Sequence, residues 1–530
     1  MATLRLHNVH VRCGATIDEI ARAAVVKIGR KDAILEGLRV VRRSIDTRKR
    51  PNIRWSVAVE FEGDAALIAK LPPNEASVVT PVEEETLTAG GEPLRSRPVI
   101  IGAGPAGLFA ALVLAQNGYR PIVVERGRGI KERNADVAAL LGQRRLDTES
   151  NFVSGEGGAG AYSDGKLTTR INDVRLRSVL STLVECGASK DILIDARPHI
   201  GSDVLPGVVT RLHQRIEGLG GEFRFGYEVE RLMTSEGSRV TGVISTGGES
   251  IEAGAVILAA GNWAGGLLER LAGQGVAVEA KAFQVGVRIE HPQELIDWSV
   301  YGQSRGSLPA AEYIMSCPAK GYSRGVATFC MCPGGIIVPA VSELDRLSTN
   351  GMSRSGRDGK FANSALVVTI EPGELGEGDV FAGMEFQRKL EKACFDVAGD
   401  LSAPAQKAAD FLAGRMSRDL PECSYPLDIV EADLRDILPA QLTEALGVAL
   451  PHFGAKMPGF VENGLLVGVE TRVSSPVRIV RDSQTRQSVS TERLFPCGEG
   501  SGYAGGIMSS AVDGIRSGEA LVRQFGCCAE

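Results

Sequence analysis

At 530 residues, 43% hydrophobic and 23% charged, the chain has the composition of a multidomain globular protein, which excludes a disordered chain and a membrane-embedded one. Its 59 Lys and Arg against 65 Asp and Glu leave a net charge of −6, so no global field draws it to nucleic acid, and neither a nucleic-acid nor a membrane partner is expected. Ten cysteines without a C-x-x-C pair and six scattered histidines exclude a zinc-type cluster, so no metal is expected and the thiols read as reduced.

The first residues, MATLRLHNVHVRCG, lack the apolar core of a secretory signal, and a cytoplasmic location is expected. Residues 1–70 read as a small α/β module: a strand at 4–11, a helix at 17–28, and strands near 38–44 and 53–61. Between the last two strands, RRSIDTRKRPNIR carries Arg42, Arg43, Arg48, Lys49, Arg50 and Arg54, which suits a solvated hairpin or a contact for an anionic partner. Residues 71–96, with Pro72, Pro73, Pro81 and three consecutive Glu, read as a linker.

Residues 97–127, RPVIIGAGPAGLFAALVLAQNGYRPIVVERG, hold a complete mononucleotide-binding βαβ unit. The apolar run at 99–101 is a buried parallel strand, and the turn Gly102-Ala103-Gly104-Pro105-Ala106-Gly107 opens a helix. The first glycine allows the tight turn, the second lets backbone approach a pyrophosphate, and the third lets the helix pack on the strand. A second strand at 121–124 ends in Glu125, placed for a ribose diol and followed by Arg126. A lone G-x-G-x-x-G is a weak signal, but strand, glycines, helix, strand and acid in this order are a strong one. Glycines and Pro105 inside 98–116, with Arg97 and Arg120 nearby, fit a buried βα turn better than a membrane span.

A second glycine-rich stretch, VSGEGGAGAYSDGKLTTR, carries Gly155, Gly157, Gly158, Gly160 and Gly165, whose backbone N–H groups suit a phosphate or a flat ring, and Lys166 adds a fixed charge. A helix at 204–219 feeds a meander of strand-like runs at 222–234, 239–246 and 255–261, the last ending in Ala260-Gly261. With a single G-x-G-x-x-G in the chain, a nicotinamide nucleotide would bind without a Rossmann domain of its own. Residues 271–470 change character and read as a substrate domain, with helical stretches at 381–396 and 403–411. It opens on FQVGVRIEHPQ, where Val285, Val287 and Ile289 alternate with Arg288 and Glu290 and His291 ends the strand, as a structural residue or a general acid–base. Cys330 and Cys332 in TFCMCPGG share a strand face, as buried free thiols or as part of one pocket. Near the end, a strand at 494–496, Gly498-Glu499, Gly505-Gly506 and a helix from Ile507 repeat the opening logic and suit another polar part of a long cofactor.

Taken together, Gly102, Gly104, Gly107 and Glu125, AVILAAG, and FPCGEG followed by a helix resemble the FAD domain of glutathione-reductase-type flavoproteins. More narrowly, SGEGGAGAYSDGKL, RPHIGSD, VRIEHPQ, TFCMCPGG, GVETRVSSPVRI and GEGSGYAGGI are similar to the bacterial and plastid family of FAD-dependent, or NAD/FAD-utilising, dehydrogenases. The resemblance implies an α/β fold in which a Rossmann-type FAD domain, 97–270 and 471–530, is interrupted by an α+β substrate domain at 271–470 and preceded by the small module. It implies FAD, with Gly102, Gly104, Pro105, Ala106 and Gly107 at the pyrophosphate, Glu125 and Arg126 at the ribose, and Val229 at the adenine through its backbone. Glu499 stands where the family usually has Asp near the ribityl chain, and Gly506 and Ile507 would turn backbone N–H groups to the isoalloxazine; Gly157, Gly158, Ala260, Gly261, Gly498 and Gly505 complete the expected cradle.

Such a protein is expected to be a two-electron oxidoreductase acting on a small organic substrate, with NADPH or NADH as candidate transient electron donors. His291, His199, Lys166, Arg288 and Tyr322 are, in that order, the candidate catalytic or orienting residues. Alternatives are an NAD(P)H-dependent flavin monooxygenase and a flavin-bound module that captures a partner through the basic hairpin. The terminal pair Cys527-Cys528 resembles that of flavin-linked mercuric and thioredoxin-type reductases, but the C-x4-C of those enzymes is missing, so these thiols read as a tail. Substrate and oligomeric state are left open by the sequence.

Overall fold

The structure is a computed structural model, and it describes the chain apart from residues 31–32, 81–85, 236–237, 320–323, 377 and 528–530. Its centre is a parallel five-stranded sheet, in the order Leu494–Pro496, Val256–Leu258, Val99–Ile101, Ile122–Glu125, Glu222–Phe225. Every strand but Glu222–Phe225 is short and buried throughout. That is why they read as continuous apolar runs instead of alternating ones.

Helices Pro105–Gln116 and Ile507–Gln524 cover one face side by side, and small residues set their distance: a Cβ on Gly514 would lie 2.0 Å from Ala106 O, and one on Gly518 3.2 Å from Ala110 O. The C-terminal helix is thus locked onto the helix that follows the first glycine turn. An antiparallel meander, Val229–Ser235, Arg239–Ser245 and Ser250–Glu252, packs over the other face. The run 222–234 expected within this meander divides. Glu222–Phe225 joins the parallel sheet, and the chain turns through Gly226, φ +69°, before the meander begins at Val229.

The inserted segment forms a seven-stranded, mostly antiparallel sheet, in the order Ser316–Cys317, Val326–Cys332, Phe361–Ile370, Phe283–Pro292, Leu465–Glu470, Ala403–Lys407, Ile429–Glu431. Its spine is the ladder between Phe283–Pro292 and Phe361–Ile370, in register from Phe283↔Ile370 to Pro292↔Phe361. Helices Ala382–Asp396 and Ala440–Lys456 pack on this sheet and share its large apolar core. The helix expected over 403–411 is a strand, Ala403–Lys407, followed by a short helix, Ala408–Ala413. Pairing with Leu465–Glu470 overrides the helical propensity of the alanines there.

The N-terminal module is a sheet of Glu36–Asp46, Arg54–Gly63, Ala2–Arg12 and Ala76–Val78, with helix Ile17–Ile28 held by a Thr16/Glu19 capping box. Residues 71–96, expected as a linker, thus supply an edge strand here, and Glu92–Pro93 pairs with Phe525–Gly526 at the far end of the chain. Two basic residues of the hairpin hold the module in place. Arg43 bonds Asp195 at 2.7 Å, its backbone pairs with Ile194 and Ala196, and Arg50 Nη1 donates to Ser299 O at 2.6 Å. Among the described residues no helix is long and apolar enough to cross a membrane, and no group of three or more His, Cys, Asp or Glu is arranged to hold a metal ion.

Candidate active site

Three glycine-rich turns meet at the C-terminal edge of the parallel sheet. The first follows Val99–Ile101. Gly102, at φ +102°, takes a left-handed conformation in which a Cβ would press on Ala259 O, and Gly107 lets the helix settle onto Gly102. Gly104 caps helix Pro105–Gln116 without a side-chain cap, so the positive end of that helix faces outward. The second turn lies against the first: Gly157 N donates to Ala103 O at 2.8 Å, and a Cβ on Gly158, φ +58°, would come 3.2 Å from Gly104 Cα. The third follows Leu494–Pro496. Gly498 N donates to Asp513 Oδ2 at 2.9 Å, Gly500 packs tightly on Gly261, and Gly506 caps helix Ile507–Gln524, again without a side-chain cap.

This edge passes a fit test for a long, flat, phosphate-bearing cofactor. Cβ atoms added at Gly261, Gly505 and Gly506 would meet nothing within 4 Å, and at Gly104 the nearest atom would be Gly158 Cα at 4.0 Å. Open space therefore runs past two uncapped helix N-termini. At its side, the buried Glu125 accepts Ala103 N and Gly127 N, each at 2.9 Å, which leaves two of its four lone-pair positions for a diol. Tyr227 N bonds Glu125 O, and two residues on, Val229 O accepts Arg270 Nη2 at 3.2 Å. Ala260 and Gly261 follow strand Val256–Leu258 beside the third turn. Arg126 turns instead to Ser154, Ser342 and Glu149, bracing the second turn against the inserted domain. Glu499 accepts Gly506 N at 3.4 Å, and burial pushes its carboxyl up to about 7 against the pull of Gly506 N–H and Lys281.

The second turn continues to Lys166, and there the two sheets meet. The Lys166 ammonium bonds Asp164 at 3.0 Å, Met331 O, and Cys332 Sγ at 3.9 Å. Arg288, fully buried, donates to Asn363 Oδ1 at 2.8 Å, Glu470, Cys330 O at 2.8 Å and Cys332 Sγ at 3.7 Å. Arg357 also holds Asp164, with Nη2 on the same Oδ2 at 2.7 Å and Nε on Oδ1 at 3.3 Å. Burial pushes Glu470 up to about 7 despite Arg288. The Cys332 thiol, Lys166 and Arg288 together draw the Cys330 thiol well below the usual range against its burial, while Cys332 is driven up.

Of the expected catalytic residues, Lys166 and Arg288 are in this cluster. His199 is at its rim, bridged to Lys166 by backbone, with Nε2 3.1 Å from Ser355 O and its imidazolium disfavoured by burial and by Arg357. His291 corrects the expectation of an acid–base group. It is 1% exposed, its Nε2 bonds Phe460 O at 2.8 Å, its ring lies on Phe460, and burial pushes it down to about 4, so it is a neutral core residue of the inserted domain. Tyr322 lies outside the described residues. Asp164, Arg357, Asn363 and Glu470 were not singled out in the sequence. The signal for two of them was there in YSDGKL and GVETRV, but their partners are far away in the chain.

Residues 282–473 match the family described as "FAD-dependent protein, C-terminal domain-like", 206–306 "FAD dependent oxidoreductase" and 96–147 "FAD binding domain". An uncharacterized protein of Clostridium beijerinckii is 39% identical over 98% of this chain and 99% of its own length. The probable electron transfer flavoprotein-quinone oxidoreductase YdiS of Escherichia coli is 29% identical over 36% of this chain and 42% of YdiS. Among solved structures, glycine oxidase from Geobacillus kaustophilus is 11% identical with a TM-score of 0.36, over 81% of this chain and 94% of that one. With a full-length relative, three matching FAD families and a glycine cradle that fits the cofactor, the chain belongs to the FAD-dependent oxidoreductases.

Proposed function

We propose that the protein oxidises or reduces a small organic substrate by two-electron transfer, with the substrate lodged between the glycine cradle and the inserted sheet. The observation that carries this reading is the path of residues 155–166: Gly158 lies on Gly104, Gly160 approaches Ile507, and Lys166 ends on the Cys330–Cys332 segment. FAD, when bound, supplies the two-electron acceptor or donor. Gly104 and its helix terminus hold the pyrophosphate, Glu125 takes the ribose hydroxyls, and the Val229 backbone borders the adenine. Ile507 would orient the ring through its backbone N–H at a helix N-terminus that favours negative charge, and Gly506, whose N–H Glu499 holds, would leave open space beside it. Glu499, titrating near neutrality, takes up or releases the proton that accompanies the electrons. Lys166 orients an anionic part of the substrate.

A flavin monooxygenase fed by NADPH or NADH would use the same cradle and differ in consuming oxygen. The likeness to YdiS supports a second reading, in which the electrons pass to or from a carrier protein or a quinone. Anaerobic addition of NADPH or NADH to the flavin-loaded protein, followed by oxygen uptake, separates these. Bleaching without coupled oxygen use supports the first reading, and coupled oxygen use the monooxygenase. A flavin that no nucleotide or small organic donor reduces, but a carrier protein does, overturns the first reading in favour of the second.

A further inference from the structure

The strand Val326–Cys332 carries a distortion for which the flavin cradle has no use. In a regular strand, residues i and i+2 share a face with Cα atoms about 6.6 Å apart, close to the upper limit for a disulfide. Here the ladder takes three steps from Phe329 to Cys332 against two from Ala365 to Asn363, and the inserted bulge puts Cys330 at φ +46°, a conformation that residues with a Cβ rarely adopt. The bend brings the Cys332 thiol within 3.2 Å of Cys330 O. Cys330 is half-buried and Cys332 fully buried.

Charge surrounds the pair. Lys166 and Arg288 reach Cys332 Sγ at 3.9 and 3.7 Å, and Arg357 holds Asp164. Facing these cations are Asp164 and Glu470, with Glu499 farther off and the neutral Tyr313 phenol close by. Arg357 is shared with Glu312 at 3.8 Å, which leaves Lys166 and Arg288 as the cations that touch the cysteine pair. Opposite charge at this range favours the thiolate, the nucleophilic form.

We propose that Cys330 and Cys332 form a peroxide-reactive dithiol centre, the more exposed Cys330 attacking and the buried Cys332 closing the disulfide. Cys330 Sγ attacks the terminal oxygen of a small hydroperoxide. The S–O bond forms as the O–O bond breaks, and the leaving oxygen takes a proton and departs as water or an alcohol, so that Cys330 becomes a sulfenic acid. Cys332 Sγ then attacks that sulfur. The S–O bond breaks, water leaves with the thiol proton, and the disulfide forms. The dithiol has lost two electrons and the hydroperoxide has gained them, and the departing oxygen takes its proton from solvent. This chemistry needs no particular flavin substrate.

The test uses the full-length protein, reduced and freed of reductant, with hydrogen peroxide as probe and mass spectrometry of the peptides as readout. Stoichiometric peroxide at neutral pH should remove two hydrogens from the peptide carrying Cys330 and Cys332, reversibly with dithiothreitol. In Cys332→Ser, dimedone should label Cys330; in Cys330→Ser neither product should form. At pH 7, iodoacetamide should modify Cys330 about tenfold faster than the exposed Cys527, because the cations beside the dithiol favour its thiolate. The proposal is overturned if Cys527 and Cys13 oxidise first and Cys330 can still be alkylated after excess peroxide. Should the serine variants fail to fold, the disulfide mapping and alkylation rates of the unmodified chain decide alone.

Discussion

Gly104 and Gly107 stand three residues apart in one turn, yet a methyl group at each has a different consequence. At Gly107 the new Cβ would lie 1.9 Å from Gly102 O and 3.0 Å from Gly102 C. Ordinary C···O contact begins at about 3.3 Å, so helix Pro105–Gln116 must shift by more than about 1 Å, and overpacking of this kind costs about 1–3 kcal/mol. At Gly104, φ is −77° and the nearest atom would be Gly158 Cα at 4.0 Å. There the apoprotein loses only the N-cap preference for glycine over alanine, about 1 kcal/mol or less. The methyl instead enters the open space assigned to the pyrophosphate. Gly107→Ala should therefore lower both the stability of the flavin-free protein and its affinity for FAD. Gly104→Ala should leave flavin-free stability within about 1 kcal/mol while weakening FAD by at least about tenfold, or 1.4 kcal/mol. Urea unfolding of the apoproteins and FAD titration followed by flavin fluorescence measure the two quantities separately. Gly104→Ala binding FAD as tightly as the unmodified protein would refute the cradle assignment.

Removing Glu470 while leaving Arg288 buried should cost about 3–5 kcal/mol, so Glu470→Leu should unfold at markedly lower urea, and the double variant Arg288→Met/Glu470→Leu should recover much of the loss. His291 is held neutral, its folded pKa near 4 against 6.5. Its contribution is complete above pH 6.5 and is lost as pH falls toward 4, about 3 kcal/mol in all, and His291→Asn should flatten this acid limb of the stability curve while leaving the pH profile of turnover in place. Glu499 has the opposite sign: its folded pKa is raised to about 7 from 4.5, so the folded chain keeps a proton that the unfolded chain has released, and stability falls as pH rises between those values. Glu499→Gln should remove that slope and, in the flavin-loaded protein, the neutral limb of the pH–rate profile.

What the sequence made legible was local. Residues 97–127 carry strand, turn, helix, strand and acid within one short stretch, and the structure has the tight turn at Gly102 and the close helix packing at Gly107 that the sequence predicts. The C-terminal turn and helix were legible on the same grounds. The thiol cluster was not, because its members come from four distant stretches: Lys166 from a loop, Arg288 and Cys332 from two strands separated by Phe361–Ile370, and Glu470 from a fourth strand, 182 residues from its partner. His291 shows the limit of single residues. A histidine at a strand end looks the same in sequence whether it faces a cleft or a core, and here Phe460, far along the chain, decides the matter. Ala403–Lys407 reads as helix for a similar reason, since pairing with Leu465–Glu470 and Ile429–Glu431, both distant in the chain, makes it a strand. The bulge at Cys330 leaves no mark on the sequence beyond two cysteines with the right spacing.

Whether the glycine cradle takes FAD is read first from the flavin content of the purified protein. Visible absorption, with acid release and mass identification of the chromophore before and after incubation with excess FAD, should give FAD bound one to one with the chain. A folded protein that stays colourless under those conditions and gains no thermal stability from FAD would contradict the account.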